Sequence, residues 1–339
     1  MTHFIRDLGK IERFFHALNQ FVFDWGGDLS FESLLLKINQ ERFEKYGVEE
    51  QLFRLILTGD YSVIIMDHSI FDGGSVINLA NELFIDDFKP NEINSIQEPI
   101  YKYDSGHTVS KPLERLIDFQ AFKQGERLES ELIKFQTSIK NYGSNHHFIV
   151  KTTQIPNLSN SLTSNIQKQW VQASINTFPN KFPIGLKYGT CFGVDGRPFL
   201  PTDDDIRYGC YSPGYFQNID PKIDTKLYSD ELRNEAKSGG VWQPFLSMFE
   251  SDEKVNWVER FGNGLNNNIE RDFFGITNIG KLKINGWFTQ STFNLEFAFG
   301  VVVMRFNNEL RLIFTMVDND FIKIDEWELI IEEFLRILK

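Results

Sequence analysis

The residues with the most chemical potential stand in one short stretch, YSVIIMDHSIFDGGS (61–75). His68 follows an apolar run, and four residues later come Asp72, Gly73 and Gly74. A neutral imidazole is the usual general base near neutral pH, because its unperturbed pKa is about 6.5. At the end of a buried strand it would be held rigidly at the mouth of a sheet, where ligands often bind. Asp72 need not touch the imidazole. It can cap the following helix or pair with a cation and fix the loop. The two glycines permit close approaches that a side chain would forbid. A histidine at a strand end is more often structural than catalytic, yet the whole string is rare. From 6 His, 22 Asp and 24 Gly in 339 residues, chance gives HxxxDG roughly 0.03 times.

The flanking segments must do the positioning. LFRLILTG (52–59) and YSVIIMD (61–67) are apolar runs separated by Gly59 and Asp60, which predicts a tight hairpin of buried strands. Ser75 is the expected cap of a helix whose apolar face is Val76, Leu79, Ala80, Leu83 and Phe84. Leu8, Ile11, Phe15 and Leu18 predict an amphipathic helix over 8–19, and a second helical pattern covers 31–46. Residues 86–110 read as a long surface loop, and 111–142 as a return to helix. Strands are expected at 146–156, 182–189, 273–280, 287–306 and 309–317, with a helix opening a second half within 159–178. The last helix has capping-box spacing at Asp325 and Glu328. Its stripe is Trp327, Ile330, Ile331, Phe334, Leu335 and Leu338. There is no internal repeat. The mixed pattern predicts an α/β fold of two sandwiches, residues 1–155 and 156–339, meeting along a cleft.

Composition narrows the function. A formal net charge of −12 argues against sequence-independent nucleic-acid binding and against charge-driven docking on anionic membranes. Two cysteines, Cys191 and Cys210, sit in Gly-rich, partly polar segments that read as loops, without metal-ligand spacing, and point to a reducing, intracellular setting. Charges at Arg6, Asp7, Lys10, Glu12 and Arg13 break up any signal-peptide core, and FAFGVVVM (297–304) is too short to span a bilayer. The 33 phenylalanines can build large cores and a wide apolar tunnel.

Other polar clusters read more simply. His146 and His147 lack further ligands at metal spacing and start a strand. The run 201–209 lacks the spaced oxygens of a hard-cation loop, and 260–268 lacks the third glycine and preceding strand of a dinucleotide fingerprint. The C-terminal helix could lie on a lipid surface only weakly, since Asp325, Glu326, Glu328, Glu332 and Glu333 crowd its polar side.

MDHSIFDGGS (66–75) resembles the HxxxDG signature of the CoA-dependent acyltransferase superfamily, which includes chloramphenicol acetyltransferases, carnitine acyltransferases, plant BAHD enzymes and peptide-synthetase condensation domains. Within it the chain is most similar to the fungal alcohol acetyltransferases. Three further segments carry that similarity: RDLGKIERFFHALNQ (6–20), DFFGITNIGKL (272–282) and GWFTQST (286–292). The resemblance implies two chloramphenicol acetyltransferase-like subdomains with mixed sheets, meeting at a central tunnel. It implies His68 as base, Asp72 as a structural brace beside Gly73, and an oxyanion donor among Thr277, Asn278, Thr289 and Ser291. The family's partner for Asp72 is usually an arginine, and FPIGLKYG (182–189), where it is expected, offers Lys187. Acetyl-CoA, or another acyl-CoA, would be a co-substrate, with no permanently bound cofactor and no metal. The acceptor would be a small alcohol, a sterol or a sphingoid-type amino-alcohol. The implied enzyme is a cytoplasmic monomer of lipid metabolism, with the endoplasmic reticulum or lipid-droplet surface as a further location. The signature stands closer to the start than is usual in the family, so the first half reads as shortened. A non-catalytic relative that binds a lipophilic ligand or a partner protein in the cleft is the alternative.

Overall fold

The computed structural model describes residues 2–5, 22–24, 30–44, 53–57, 62–66, 71–84, 135–137, 146–154, 162–186, 188–199, 211–212, 214–219, 221–222, 224–238, 269–289, 297–318 and 321–338. They form two mixed sheets with helices packed on them. The first contains β1 (Thr2–Ile5), β2 (Val22–Asp24), β3 (Phe53–Leu57), β4 (Ser62–Met66) and β10 (Trp287–Thr289), in the order β10-β1-β4-β3-β2. The hairpin expected around Gly59 is present: β3 and β4 pair antiparallel, from Phe53 opposite Met66 to Leu57 opposite Ser62. Val63, Ile64 and Met66 are all buried, so β4 is covered on both faces, and its sequence is accordingly a continuous apolar run rather than an alternating one.

The second sheet has the order β6-β12-β11-β9-β7-β8, with β5 (Phe135–Thr137) paired outside this path to β9. Its strands are β6 (His146–Gln154), β7 (Tyr188–Gly193), β8 (Gly214–Ile219), β9 (Ile269–Leu282), β11 (Phe297–Phe306) and β12 (Glu309–Val317). The strands β7, β9 and β11 run parallel, and the others are added antiparallel. Along β11 the side chains alternate between two cores. Phe299, Val301 and Val303 join one, while Val302 and Met304 join the other. The first core lies under α3 (Leu162–Thr177) and α5 (Ile324–Leu338), centred on Trp170, whose ring stacks 4.9 Å from Phe274 and 5.7 Å from Phe314. The second core joins this sheet to α1 (Phe31–Glu44), α2 (Gly73–Phe84) and the first sheet. A further helix, α4 (Thr225–Lys237), is capped by Asp224.

The two sheets exchange strands across residue 155: β6 pairs with β12 in the second sheet, and β10, residues 287–289, pairs with β1 in the first. Several expectations need correction. The strand expected at 182–189 begins only at Tyr188, because residues 178–186 form turns in which Gly185 has a φ of 94°. Cys191 is not in a loop but buried within β7. The segment 287–306 holds two strands in different sheets. The last helix starts at Ile324, and its reach-back contact comes from Glu326, whose carboxylate accepts the Lys323 backbone N–H. The strand β5 lies where helix was expected to continue to 142. The expected helix over 8–19, the loop over 86–110 and the runs 201–209 and 260–268 lie outside the described residues, as does Cys210. No helix among the described residues is long and apolar enough to cross a membrane.

Candidate active site

Asp72 sits at the junction of β4, α2 and the second sheet. It is wholly buried, and its carboxylate accepts four hydrogen bonds. The Ser75 backbone N–H donates to Oδ1 at 2.9 Å, which makes Asp72 the cap of α2, while its carbonyl accepts the Val76 N–H at 3.2 Å. Ser75, expected as the cap, lies inside the first turn instead. Arg197 donates to both carboxylate oxygens, Nη1 to Oδ2 at 2.8 Å and Nη2 to Oδ1 at 2.7 Å. The Tyr211 backbone N–H gives the fourth bond, to Oδ2 at 2.7 Å. Such a two-pronged guanidinium–carboxylate contact fixes orientation as well as charge.

Arg197 is held from all sides. Its Nη2 also donates to Ser75 Oγ at 2.9 Å, its Nη1 to Asp195 at 3.2 Å, and its Cζ lies 5.1 Å from the centre of the Tyr211 ring. Burial works against the guanidinium's charge, but the bonds and charge of Asp72, with Asp195, outweigh it and raise its pKa. Arg197 therefore takes the place expected of Lys187, a residue outside the described set. The physical reason is distance along the chain. After Tyr188 the chain must run the length of β7 and turn before it can reach the start of α2.

The two glycines explain how these parts fit. A Cβ on Gly74 would lie 2.5 Å from Arg197 Nη1 and 3.2 Å from its Cζ; one on Gly73 would lie 2.9 Å from Ile279 Cδ1 and 3.7 Å from Phe288 Cζ. Ile279 reaches Gly73 through an irregularity in β9. Val303 pairs with Asn278 and Met304 with Gly280, so Ile279 is an extra residue, and Gly280 takes a φ of 81°. Such a bulge re-aims a side chain.

The expected oxyanion donors are split by the sheet. Asn278 lies on the face toward α3, where its Nδ2 donates to Thr163 Oγ1 at 3.0 Å and its Oδ1 accepts the Gly280 N–H at 3.0 Å. Its amide is thus committed to holding the bulge and α3. Thr277 pairs with Val302, a residue of the core toward α2, and so falls on the other face, two residues before Ile279. Thr289 ends β10, opposite Thr2, which in turn pairs with Ile65 of β4. The chain therefore leaves β4 and β10 at the same end of the first sheet. Thr289 is buried, and its Oγ1 has no hydrogen-bond partner among the described residues. His68, with residues 67–70, and Ser291, with residues 290–296, lie outside the described residues.

Elsewhere, His146 is buried at the start of β6 and His147 Nε2 meets Asp318 Oδ1 at 2.6 Å. Among the described residues no cluster of His, Cys, Asp or Glu could hold a metal ion. Arg197 and Tyr211 escaped the sequence reading. The signal for Arg197 was present in VDGRP (194–198), a turn-forming stretch just after a strand.

No protein-family model matches the sequence, and no curated protein does. Solved structures are similar over the whole chain. The epimerization domain from the third module of tyrocidine synthetase B gives a TM-score of 0.62 at 12% identity, with 100% of this chain and 90% of that one covered. A mutant starter condensation domain of rhizomide synthetase, in complex with C8-CoA and Leu-SNAC, gives 0.60 at 9% identity, covering 99% and 87%. The condensation domain of the Monacolin K polyketide synthase gives 0.58 at 9% identity, covering 99% and 90%. The fold is that of the condensation domains, a mixed α/β architecture with helices flanking mixed sheets.

Proposed function

We propose that the chain is a CoA-dependent acyltransferase that moves an acetyl or other acyl group from the CoA thioester to an alcohol. The observation that carries this reading is the braced Asp72. A wholly buried carboxylate with four hydrogen bonds, two from Arg197, stands four residues after the one histidine of an HxxxDG string. It ties the first turn of α2 to the segment after β7. The rhizomide synthetase domain, crystallised with C8-CoA, supports an acyl-CoA donor.

In this reaction His68 accepts the proton of the acceptor hydroxyl as its oxygen attacks the thioester carbonyl. The tetrahedral oxyanion takes a hydrogen bond from a fixed donor. Thr289 is our first choice, because its hydroxyl is buried at the correct end of the sheet and has no other partner among the described residues. Thr277 is the second choice. The intermediate collapses by breaking the C–S bond, and the CoA thiolate takes the proton back from the imidazolium. Asp72 touches neither substrate; it positions the loop.

The test is release of free CoA from acetyl-CoA, offered a panel of small alcohols, sterols and sphingoid bases. The wild type is expected to turn over at least one acceptor, with His68→Ala slower by about 10²–10⁴ and Thr289→Val by about 10²–10³. A folded wild type that releases no CoA with any acceptor would sink the reading.

A further inference from the structure

On the α3 side of the second sheet, near the C-terminal ends of the parallel strands, two cations stand side by side. Lys281 of β9 and Arg305 of β11 are register partners. Both belong to that side: Val301 and Val303 face the core under α3, Arg305 follows in the same alternation, and Leu282 and Phe306 turn to the opposite core. Like charges in adjacent register oppose folding, and the chain as a whole is strongly acidic. Neither side chain makes an ion pair among the described residues, and Arg305 Nε is buried without a hydrogen-bond partner. Glu309 stands opposite Phe306. It is on the other face, where it meets Arg311 at 3.1 Å. Lys283, exposed two residues further on, adds a third positive charge.

The surroundings favour an anion over a carboxylate of this chain. The sixteen-residue α3 runs antiparallel to β9, since Thr163 meets Asn278 near the strand's end and Trp170 stacks on Phe274 further back. Its N-terminus therefore lies on the cations' side, with no acidic residue in the first turn. The bulge at Ile279 and Gly280, held by Asn278, sets the two cations level with each other.

The geometry points to Lys281 and Arg305 as a binding site for a phosphate group. This deepens the acyl-CoA reading and rests on it for the ligand's identity: the acyl donor carries both a diphosphate and a phosphate monoester. Arg305 supplies the forked donors and Lys281 the point charge.

Titration calorimetry at low salt with three probes tests this: pyrophosphate, CoA, and dephospho-CoA, which lacks the monoester. The proteins are the wild type and K281Q/R305Q, with melting temperatures as a folding control. The double variant is expected to bind pyrophosphate and CoA at least about tenfold more weakly while melting at the wild-type temperature. An unchanged dephospho-CoA affinity would assign the site to the monoester, and a parallel loss to the diphosphate. Loss of pyrophosphate binding with CoA unaffected keeps a phosphate site but overturns its link to acyl transfer. Pyrophosphate binding that is absent, or equal in both proteins, overturns the site itself. Acyl transfer is scored separately, so failure of the enzyme reading leaves the binding result legible.

Discussion

A carboxylate removed from water is costly unless its partners replace the lost solvation. Asp72 meets that condition with two backbone N–H groups and both prongs of Arg197. Removing the arginine should therefore be far worse than removing an exposed charge. Arg197→Met is expected to lower unfolding free energy by about 3–5 kcal/mol, measured as a shift of the urea midpoint at an unchanged slope. A shift equal to that of Arg233→Met, whose exposed guanidinium meets Asp230 at 3.1 Å, would contradict it. The sequence allowed both roles that Asp72 fills, because a short acid before a helix can cap it or take a cation. It could not name the cation. The pairing spans 125 positions, and no local rule reaches that far; for this reason the arginine was sought in 182–189, about ten residues too early.

Among elements, the start of α2 shows how little room surrounds this pairing. Alanine normally stabilises a helix relative to glycine by roughly 0.5–1 kcal/mol. At Gly73 that gain competes only with the movable Cδ1 of Ile279, so Gly73→Ala is expected within about 1 kcal/mol of wild type. At Gly74 the new methyl meets a guanidinium fixed by its bonds to Asp72 and Ser75. Gly74→Ala is expected to destabilise by about 1–3 kcal/mol, and equal urea midpoints for the two variants would refute the distinction. The bend between β9 and β10 has its own fastening. Arg311 of β12 is buried, donates to Gly286 O at 2.9 Å and Asn285 Oδ1 at 2.8 Å, and packs 4.6 Å from the Phe306 ring centre and 5.2 Å from that of Trp287. Arg311→Gln is expected to cost about 2–3 kcal/mol and to slow CoA release through displacement of Thr289; activity that stays unchanged at a lowered melting temperature would separate the bend from the site. Strand and helix types here followed from apolar runs. The bulge did not, because ITNIG (276–280) reads as an ordinary strand until Asn278 is seen holding Gly280.

For the whole molecule, the predicted mixed fold was legible because two-sided apolar runs such as VVVM (301–304) demand layers on both faces. Which strand joins which sheet was not, since pairing partners lie far apart in the chain. Acid stability follows from one of those strands. Burial, with the nearby His147 charge, pulls the pKa of His146 down to about 4 from 6.5. Between those values the unfolded chain binds a proton that the folded one refuses. Stability is therefore full above pH 6.5 and declines as pH falls toward 4, by about 3 kcal/mol in total. His146→Leu should flatten that limb of the stability profile, and an unaltered limb would disprove the assignment. The exchange of β6 and β10 has a further consequence. Each half keeps one rib of its sheet in the other's custody, so neither is expected to fold by itself. Fragments 1–155 and 156–339, made separately, would leave β12 and β1 as bare apolar borders prone to clumping. Produced together they should reassemble into one soluble particle, whereas a well-folded, soluble 156–339 fragment on its own would show that the loan is dispensable.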